Sequence, residues 1–374
     1  MSSNPPQILQ FCHGYYGPFL NCARQYARLF RDTPYQVTTV YLTGEPDEAV
    51  VRGSASDEVI FLGYHSGDIR GLKLRAIRDV RRLAATHRFA FCIAHRFKPA
   101  YIALLGTNLP VICVHHGFGD YDRLARRLFA HAFSKRLRLL GVSDAVRDDM
   151  RAALPGWPPS HIETLYNRID VATEAEVLPG EIARAALGLP PQGWIVGNVG
   201  RLHPDKDQAT LLRAFAAALP SLPAGSLLAV MGSGRLENAL KTQAVELNIQ
   251  DSVRFLGQVA EGSRYFRAFD VFALSSDREP FGMVLLEALA AGLPMVCSDC
   301  GGGPEVVAGI GELFPFGDAD ALAQCLLRFA ARGVPADYPQ RAKEHLRQKF
   351  SDEAVVQTFW RLPMLAEWAQ CAPC

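Results

Sequence analysis

The chain has 374 residues, more than one compact core usually holds, so two domains are expected. Its hydrophobic content of 49% and charged content of 21% are globular values, and no apolar run approaches about 18 residues, which argues against a membrane-spanning helix. The net charge of +1 hides an imbalance: residues 1–172 carry 22 basic and 15 acidic side chains, and the remainder carries 17 and 23. The opening Met-Ser-Ser-Asn-Pro-Pro is not patterned as a secretory signal. Nine cysteines lie mostly in apolar, strand-like stretches, as expected for reduced thiols in a cytoplasm.

Gln7–Cys12 reads as a buried strand, residues 13–18 as a tight turn, and Phe19–Arg31 as a helix with Leu20, Ala23, Tyr26, Ala27 and Phe30 on one face. Strand, glycine-containing turn and helix open a Rossmann-like unit. Gly14 and Gly17 either let backbone amides approach a phosphate or acceptor, or simply make the turn. No full Gly-x-Gly-x-x-Gly is present, which argues against a nicotinamide-dependent oxidoreductase. Gln36–Leu42 and Val59–Leu62 read as further strands. Ile69–His87 reads as a basic helix: Leu74, Ile77, Val80 and Ala84 form an apolar stripe, and Arg70, Lys73, Arg75, Arg78, Arg81 and Arg82 project elsewhere. Such a face is either solvated or drawn to an anionic membrane or a phosphorylated acceptor.

Phe89–Ala94 and Pro110–Val114 read as strands that end in His95-Arg96-Phe97-Lys98-Pro99 and in His115-His116-Gly117-Phe118-Gly119-Asp120. Open α/β sheets bind ligands just past their strand carboxyl ends, which makes His95 and His116 candidates, with His115 as the adjacent alternative. Asp122–Leu137 reads as a second basic helix, with Arg123, Arg126, Arg127, Lys135, Arg136 and Arg138 in or beside it. Leu139–Ser143 reads as a strand, with Ser143 or Asp144 capping the next helix. Residues 171–191 read as a linker with a short helix.

A second Rossmann-like unit starts at Trp194–Gly200, followed by Arg201 and Lys206 before a helix from Gln208 to Leu219. Basic residues between a buried strand and a helix start suit a pyrophosphate. Leu227–Met231 precedes Gly232-Ser233-Gly234, Val253–Gly257 is another strand, and Phe269–Ser275 leads to Glu279-Pro280-Phe281-Gly282. Met283–Ala291 has helix-forming composition and is stopped by Gly292 and Pro294. Glu279 and Glu287 then lie just before this helix and about a turn and a half into it. Asp318–Arg332 and Ser351–Ala369 read as helices. Cys297–Cys300 and Cys371–Cys374 have zinc-ligand spacing, but the sequence around them does not favour a zinc site.

The run Glu279-Pro-Phe-Gly, then Glu287-Ala-Leu-Ala-Ala-Gly-Leu-Pro, then Gly301-Gly-Gly-Pro-Glu-Val-Val resembles the signature of retaining glycosyltransferase family 4. Gly200-Arg201-Leu with Lys206 is similar to the same family, as are the histidine loops at His95 and His116 and the segment Tyr166-Asn167-Arg168-Ile169-Asp170, where Arg168 replaces a glycine. The resemblance runs through most of the C-terminal half and is patchy before it.

It implies the GT-B fold: two Rossmann-like α/β domains facing a cleft, residues 1–172 on the acceptor side and 173–350 on the donor side, with 351–374 crossing back to the first domain. It also implies transfer of a sugar from a nucleotide-sugar donor, a UDP-sugar by default, to a hydroxyl of a glycan or glycolipid. Retention at the anomeric carbon, no cofactor, no metal and no nucleic-acid partner go with it. In the resemblance Arg201 and Lys206 hold the donor phosphates, Glu279 the sugar and Glu287 the ribose. Phe281, Gly282, Met283, Gly232 and Leu256 lie beside the donor; Gly14, Gly17, His95 and His115 lie on the acceptor or phosphate side; His116 joins Glu279, Arg201 and Lys206 at the reacting groups. The basic first half adds an anionic membrane, at the inner face of a bacterial inner membrane, as a partner to test. The alternatives are a nucleotide-sugar epimerase, a phosphorylase, or a non-catalytic sugar-nucleotide-binding protein of the same fold.

Overall fold

A computed structural model describes residues 5–17, 19–169 and 177–365. The chain divides into two compact units, residues 168–355 forming one and residues 1–167 with 356–374 the other. Among the described residues, the first unit holds strands β1 Gln7–Cys12, β2 Gln36–Thr43, β3 Glu58–Tyr64, β4 Phe89–His95, β5 Val111–His115, β6 Leu137–Gly141 and β7 Ile162–Thr164. They form one parallel sheet in the order β3-β2-β1-β4-β5-β6-β7. The second unit holds β8 Ile195–Val199, β9 Leu227–Met231, β10 Val253–Gly257, β11 Val271–Leu274, β12 Met295–Ser298 and β13 Glu312–Phe314, in the order β10-β9-β8-β11-β12-β13. Both are doubly wound sheets whose strand order reverses beside the first strand, between β1 and β4 and between β8 and β11. Ligands bind at such reversals, beyond the strand carboxyl ends.

The central strands are apolar and buried on both faces, as parallel sheets covered by helices require. In the second unit Leu211, Leu212 and Phe215 of the helix Gln208–Ala218 pack with Leu228, Val230 and Val271 of the sheet and with Leu322 and Leu326 of the helix Ala319–Arg332. The helix Asp352–Trp360 runs from one unit into the other. Within the first unit its Trp360 indole donates to the Leu29 carbonyl, and Phe359 packs on Phe30.

Two basic helices are shorter than their sequences suggest. The first spans Leu74–Thr86, not Ile69–His87, because Gly71 (φ 59°) and Lys73 (φ 56°) adopt left-handed backbone just before it. Leu74 is accordingly exposed instead of packed, and Ala76, Ile77 and Val80 are the buried face. The second spans Leu124–Ala132 instead of Asp122–Leu137; Leu137 belongs to β6, where it pairs in register with Val111. Arg138 is therefore a buried strand residue, and Arg136 donates to the carbonyls of Leu104, Thr107 and Leu109. Ser143, not Asp144, caps the helix Asp144–Ala153, its hydroxyl accepting from the Val146 amide.

Candidate active site

In the second unit, the loops after β8, β9, β11 and β12 converge. Lys206 ends a short 3-10 turn, and its ammonium donates to Glu279 Oε2 at 2.5 Å. The Glu279 side chain is held further by Ser276 Oγ at 3.4 Å, and its carbonyl accepts from the Gly302 amide at 2.7 Å. Gly301 fits this packing because a Cβ there would lie 2.4 Å from the Glu279 carbonyl oxygen. Asp277 N–H donates to the Asp205 carbonyl, and Ser275 Oγ bridges the carbonyls of Lys206 and Asp207, so the loops after β8 and β11 are bound to each other. Arg201, by contrast, is 72% exposed at its side chain, whose ion pair among the described residues is with Asp205, at 3.5 Å.

The helix Met283–Ala290 begins at Gly282, whose φ of 94° suits glycine. Its first amides and partial positive charge point out of the N-terminus beside the Lys206–Glu279 pair. The carboxyl of Glu287, a half-buried residue, has no hydrogen-bond partner among the described residues. Burial pushes its carboxyl from the ordinary 4.5 up to about 7. Phe281 is buried against Phe350, so its ring is a packing group. Met283 and Leu256 are half-buried. Gly232, with φ 140°, donates to the Gly257 carbonyl, and a Cβ on it would lie 1.9 Å from the Gly200 oxygen. Only glycine lets the β8 and β9 loops approach this closely.

In the first unit a cavity of about 360 Å³ lies at the strand reversal. His13 follows β1; Arg96, Phe97 and Lys98 follow β4; His116, Gly117, Phe118 and Asp120 follow β5; Arg126 completes the lining. His116 is therefore in the cavity. His95, fully buried beneath it, meets His116 through Nδ1 and Nε2 at 3.2 Å. Burial, aided by the Arg96 charge, lowers His95 to about 3 and holds His116 well below the ordinary imidazole value, and burial with Lys98 and Arg96 lowers His13 to about 4. All three are neutral at pH 7 and can exchange hydrogen bonds with hydroxyl groups.

His115 does not line this cavity. It is wholly buried, bonded to Asp120 at 2.7 Å and Tyr121 at 3.2 Å, and positions the loop. Gly14 lines a neighbouring cavity of about 350 Å³ with Tyr16, Thr43 and His65. Gly17 is exposed, in left-handed backbone, with open space around it.

Sequence reasoning left out His13, Arg96, Lys98, Asp120 and Arg126. His13, Arg96, Lys98 and Asp120 lie just past strand ends, so their position was the available signal, whereas Arg126 comes from the helix Leu124–Ala132. Cys297 is buried, and the Cys300 thiol donates to the carbonyls of Ser276 and Asp277. Cys371, Cys374 and Asp170 lie outside the described residues.

Two doubly wound parallel units with ligand-side loops of this kind define the GT-B class. A family model for Glycosyltransferase Family 4 matches residues 21–173, and one for Glycosyl transferases group 1 matches residues 180–349. The chain thus carries a Glycosyltransferase Family 4 domain followed by a Glycosyl transferases group 1 domain. It is 37% identical over 229 residues to the D-inositol 3-phosphate glycosyltransferase of Saccharomonospora viridis, across 57% of this chain and 52% of that one. It is 32% identical over 185 residues to the lipopolysaccharide core biosynthesis glycosyltransferase LpsE of Rhizobium meliloti, across 48% and 53%. The chain thus spans about half the length of the curated relatives it matches. Among solved structures, a glycosyltransferase from Rickettsia africae matches with a TM-score of 0.82 at 15% identity, over 98% of this chain and 99% of that one. Anabaena Alr3699/HepE, in complex with UDP-glucose, matches with 0.75 at 21%, over 98% and 100%. At these identities the two structures show the fold.

Proposed function

We propose that the protein transfers a sugar from a nucleotide-sugar donor, held by the second unit, to a hydroxyl of a glycan or glycolipid acceptor held by the first. The observation that carries this reading is the Lys206–Glu279 pair at the start of the Met283–Ala290 helix, with Glu287 unpartnered one turn further on. Lys206 and Arg201 supply positive charge for a leaving diphosphate, and the helix amides add donors. Glu279 then orients the sugar hydroxyls and favours the positive charge that grows at the anomeric carbon. The glycosyl–phosphate bond breaks with its electron pair going to the diphosphate. The acceptor oxygen bonds the same face of that carbon, and its proton passes to the departing phosphate oxygen. This route retains the anomeric configuration and needs neither a protein nucleophile nor a metal ion. A UDP-sugar is the donor to try first, because the Anabaena protein of the same fold is seen with UDP-glucose. The likeness to LpsE supports a cell-surface polysaccharide or lipopolysaccharide pathway. The seven cysteines found free among the described residues support a cytoplasmic setting.

Membrane contact is a second reading, carried by a separate observation: Leu72, Leu74, Leu124 and Leu128 are exposed on the first unit beside arginines.

Titration with UDP, GDP, ADP and CMP sugars, followed by thermal shift and donor hydrolysis, tests the main reading. Glu287→Ala is expected to weaken nucleoside diphosphate binding, and Glu279→Ala to lower turnover more than affinity. Activity should survive EDTA. If turnover is lost in EDTA and restored by Mg²⁺ or Mn²⁺, the metal-free mechanism is wrong; if no nucleotide sugar binds, so is the transferase reading.

A further inference from the structure

The first-unit cavity holds more positive charge than its own residues neutralise. Arg96, Lys98 and Arg126 line it with one carboxylate, Asp120. That carboxylate is already engaged by Arg126 at 2.7 Å and by His115 at 2.7 Å. Neither Arg96 nor Lys98 forms an ion pair with any described residue; the Arg96 guanidinium rests on the Phe19 ring, 3.9 Å from its centroid. Lys73 stands near enough to Lys98 to depress it further, and the carboxylate that Arg96 feels is the Asp120 already shared with Arg126 and His115, so the cations outnumber their counter-charge.

Arg96 also has unusual backbone. Its φ of 75° and ψ of 163° fall in a region that glycine occupies freely and other residues almost never. Arginine at such a position, aimed into a cavity, indicates strain kept for function. Its guanidinium and the Lys98 ammonium carry two charges at a strand reversal, which match a dianionic phosphate better than a single carboxylate. The volume of about 360 Å³ admits a phosphate with a sugar-sized group attached. Neutral His116 in the same wall can meet a hydroxyl of that group.

We propose that this cavity binds a phosphate group carried by the acceptor, with Arg96 and Lys98 as its ligands. The proposal rests on the reading of the first unit as the acceptor side.

The test titrates inorganic phosphate and a hexose 1-phosphate calorimetrically into the full chain and into Arg96→Gly, Lys98→Gln and Arg201→Ala. Arg96→Gly and Lys98→Gln should each weaken binding by about tenfold or more, the scale of a lost charge-assisted contact. Arg201→Ala, in the other unit, should remove only the share of phosphate binding that the donor site contributes and leave the Arg96-dependent share in place. Arg96→Gly relieves the backbone and should melt no lower than the parent, so its loss of affinity is not unfolding. Co-sedimentation with phosphatidylcholine vesicles, with and without phosphatidic acid, identifies the source. Arg96-dependent binding of hexose phosphate supports a soluble acceptor, and Arg96-dependent binding of phosphatidic acid vesicles alone supports a lipid-borne one. Binding lost in Arg201→Ala but kept in Arg96→Gly overturns the proposal, as does absence of binding to every probe. UDP titrated into the same variants keeps the two readings apart: intact UDP binding without phosphate binding overturns this inference alone.

Discussion

Glu287 is a carboxyl whose chemistry the fold changes. Burial raises its carboxyl from 4.5 to about 7, so the native state holds a proton that the unfolded chain releases. The sign follows: this group's contribution is most favourable below about pH 4.5 and declines as pH rises toward about 7. The full shift corresponds to roughly 3 kcal/mol. Glu287→Gln should therefore be more stable than the parent at pH 8, by up to about 3 kcal/mol, and nearly equal to it at pH 4.5. Urea unfolding at the two pH values measures this, and equal midpoints at pH 8 would contradict the buried-carboxyl account. Ribose hydroxyls donating to Glu287 would favour its charged form, so nucleotide binding near pH 6.5 should release a proton, visible as a buffer-dependent heat. The carboxylate pair was legible in the sequence because its spacing around a helix start carries the signature. His13, Arg96 and Lys98 were not picked out, since their meeting depends on the order of β1, β4 and β5, which no local pattern encodes.

At the level of elements, the central strands were legible to within a residue or two, because buried parallel strands are short apolar runs, whereas β6 begins two residues before the expected Leu139 and the short edge strands β7 and β13 were not marked. Helix starts were less legible. Residues 69–73 have helical composition, yet left-handed backbone at Gly71 and Lys73 delays the helix. Leu137 continues a helical run in sequence, but pairing with Val111 claims it for β6. Arg168 departs from the family pattern and is explained only by a distant partner. Its side chain is 1% exposed and forms an ion pair with Asp352, at the start of the Asp352–Trp360 helix, while the Ile169 amide donates to the Phe350 carbonyl. Arg168→Met should cost about 3 kcal/mol, because Asp352 loses a charged partner in a partly buried place. Arg168→Met with Asp352→Asn should recover part of it. Denaturant midpoints of both variants check this, and a neutral single substitution would show that the pair merely fills space.

For the whole molecule, the open question is whether the basic half meets a membrane. Charge alone is weaker support than the sequence suggests, since Arg136 and Arg138 serve the fold, and Arg78 and Arg82 lie beside Asp79. Hydrophobic exposure is stronger. Leu72, Leu74, Leu124 and Leu128 are between 61% and 69% exposed. Their two elements meet on Tyr101, whose ring contacts Lys73 at 4.8 Å and Phe129 at 5.0 Å. Arg70, Arg75 and Arg123 are exposed on the same elements. Leucines ringed by cations suit the boundary of an anionic bilayer, where each leucine buried adds about 1–2 kcal/mol and each nearby cation about 1 kcal/mol. No described helix is long and apolar enough to cross a membrane, so such contact would be peripheral. Vesicle sedimentation should show binding that rises with anionic lipid and falls with salt as screening shortens the range of attraction. Replacing the four leucines with serine should abolish most of it and leave thermal stability within about 0.5 kcal/mol per site, since these side chains are exposed. Binding that ignores both lipid charge and the leucines would remove the membrane and leave the cationic cavity as the whole reason for the basic first half.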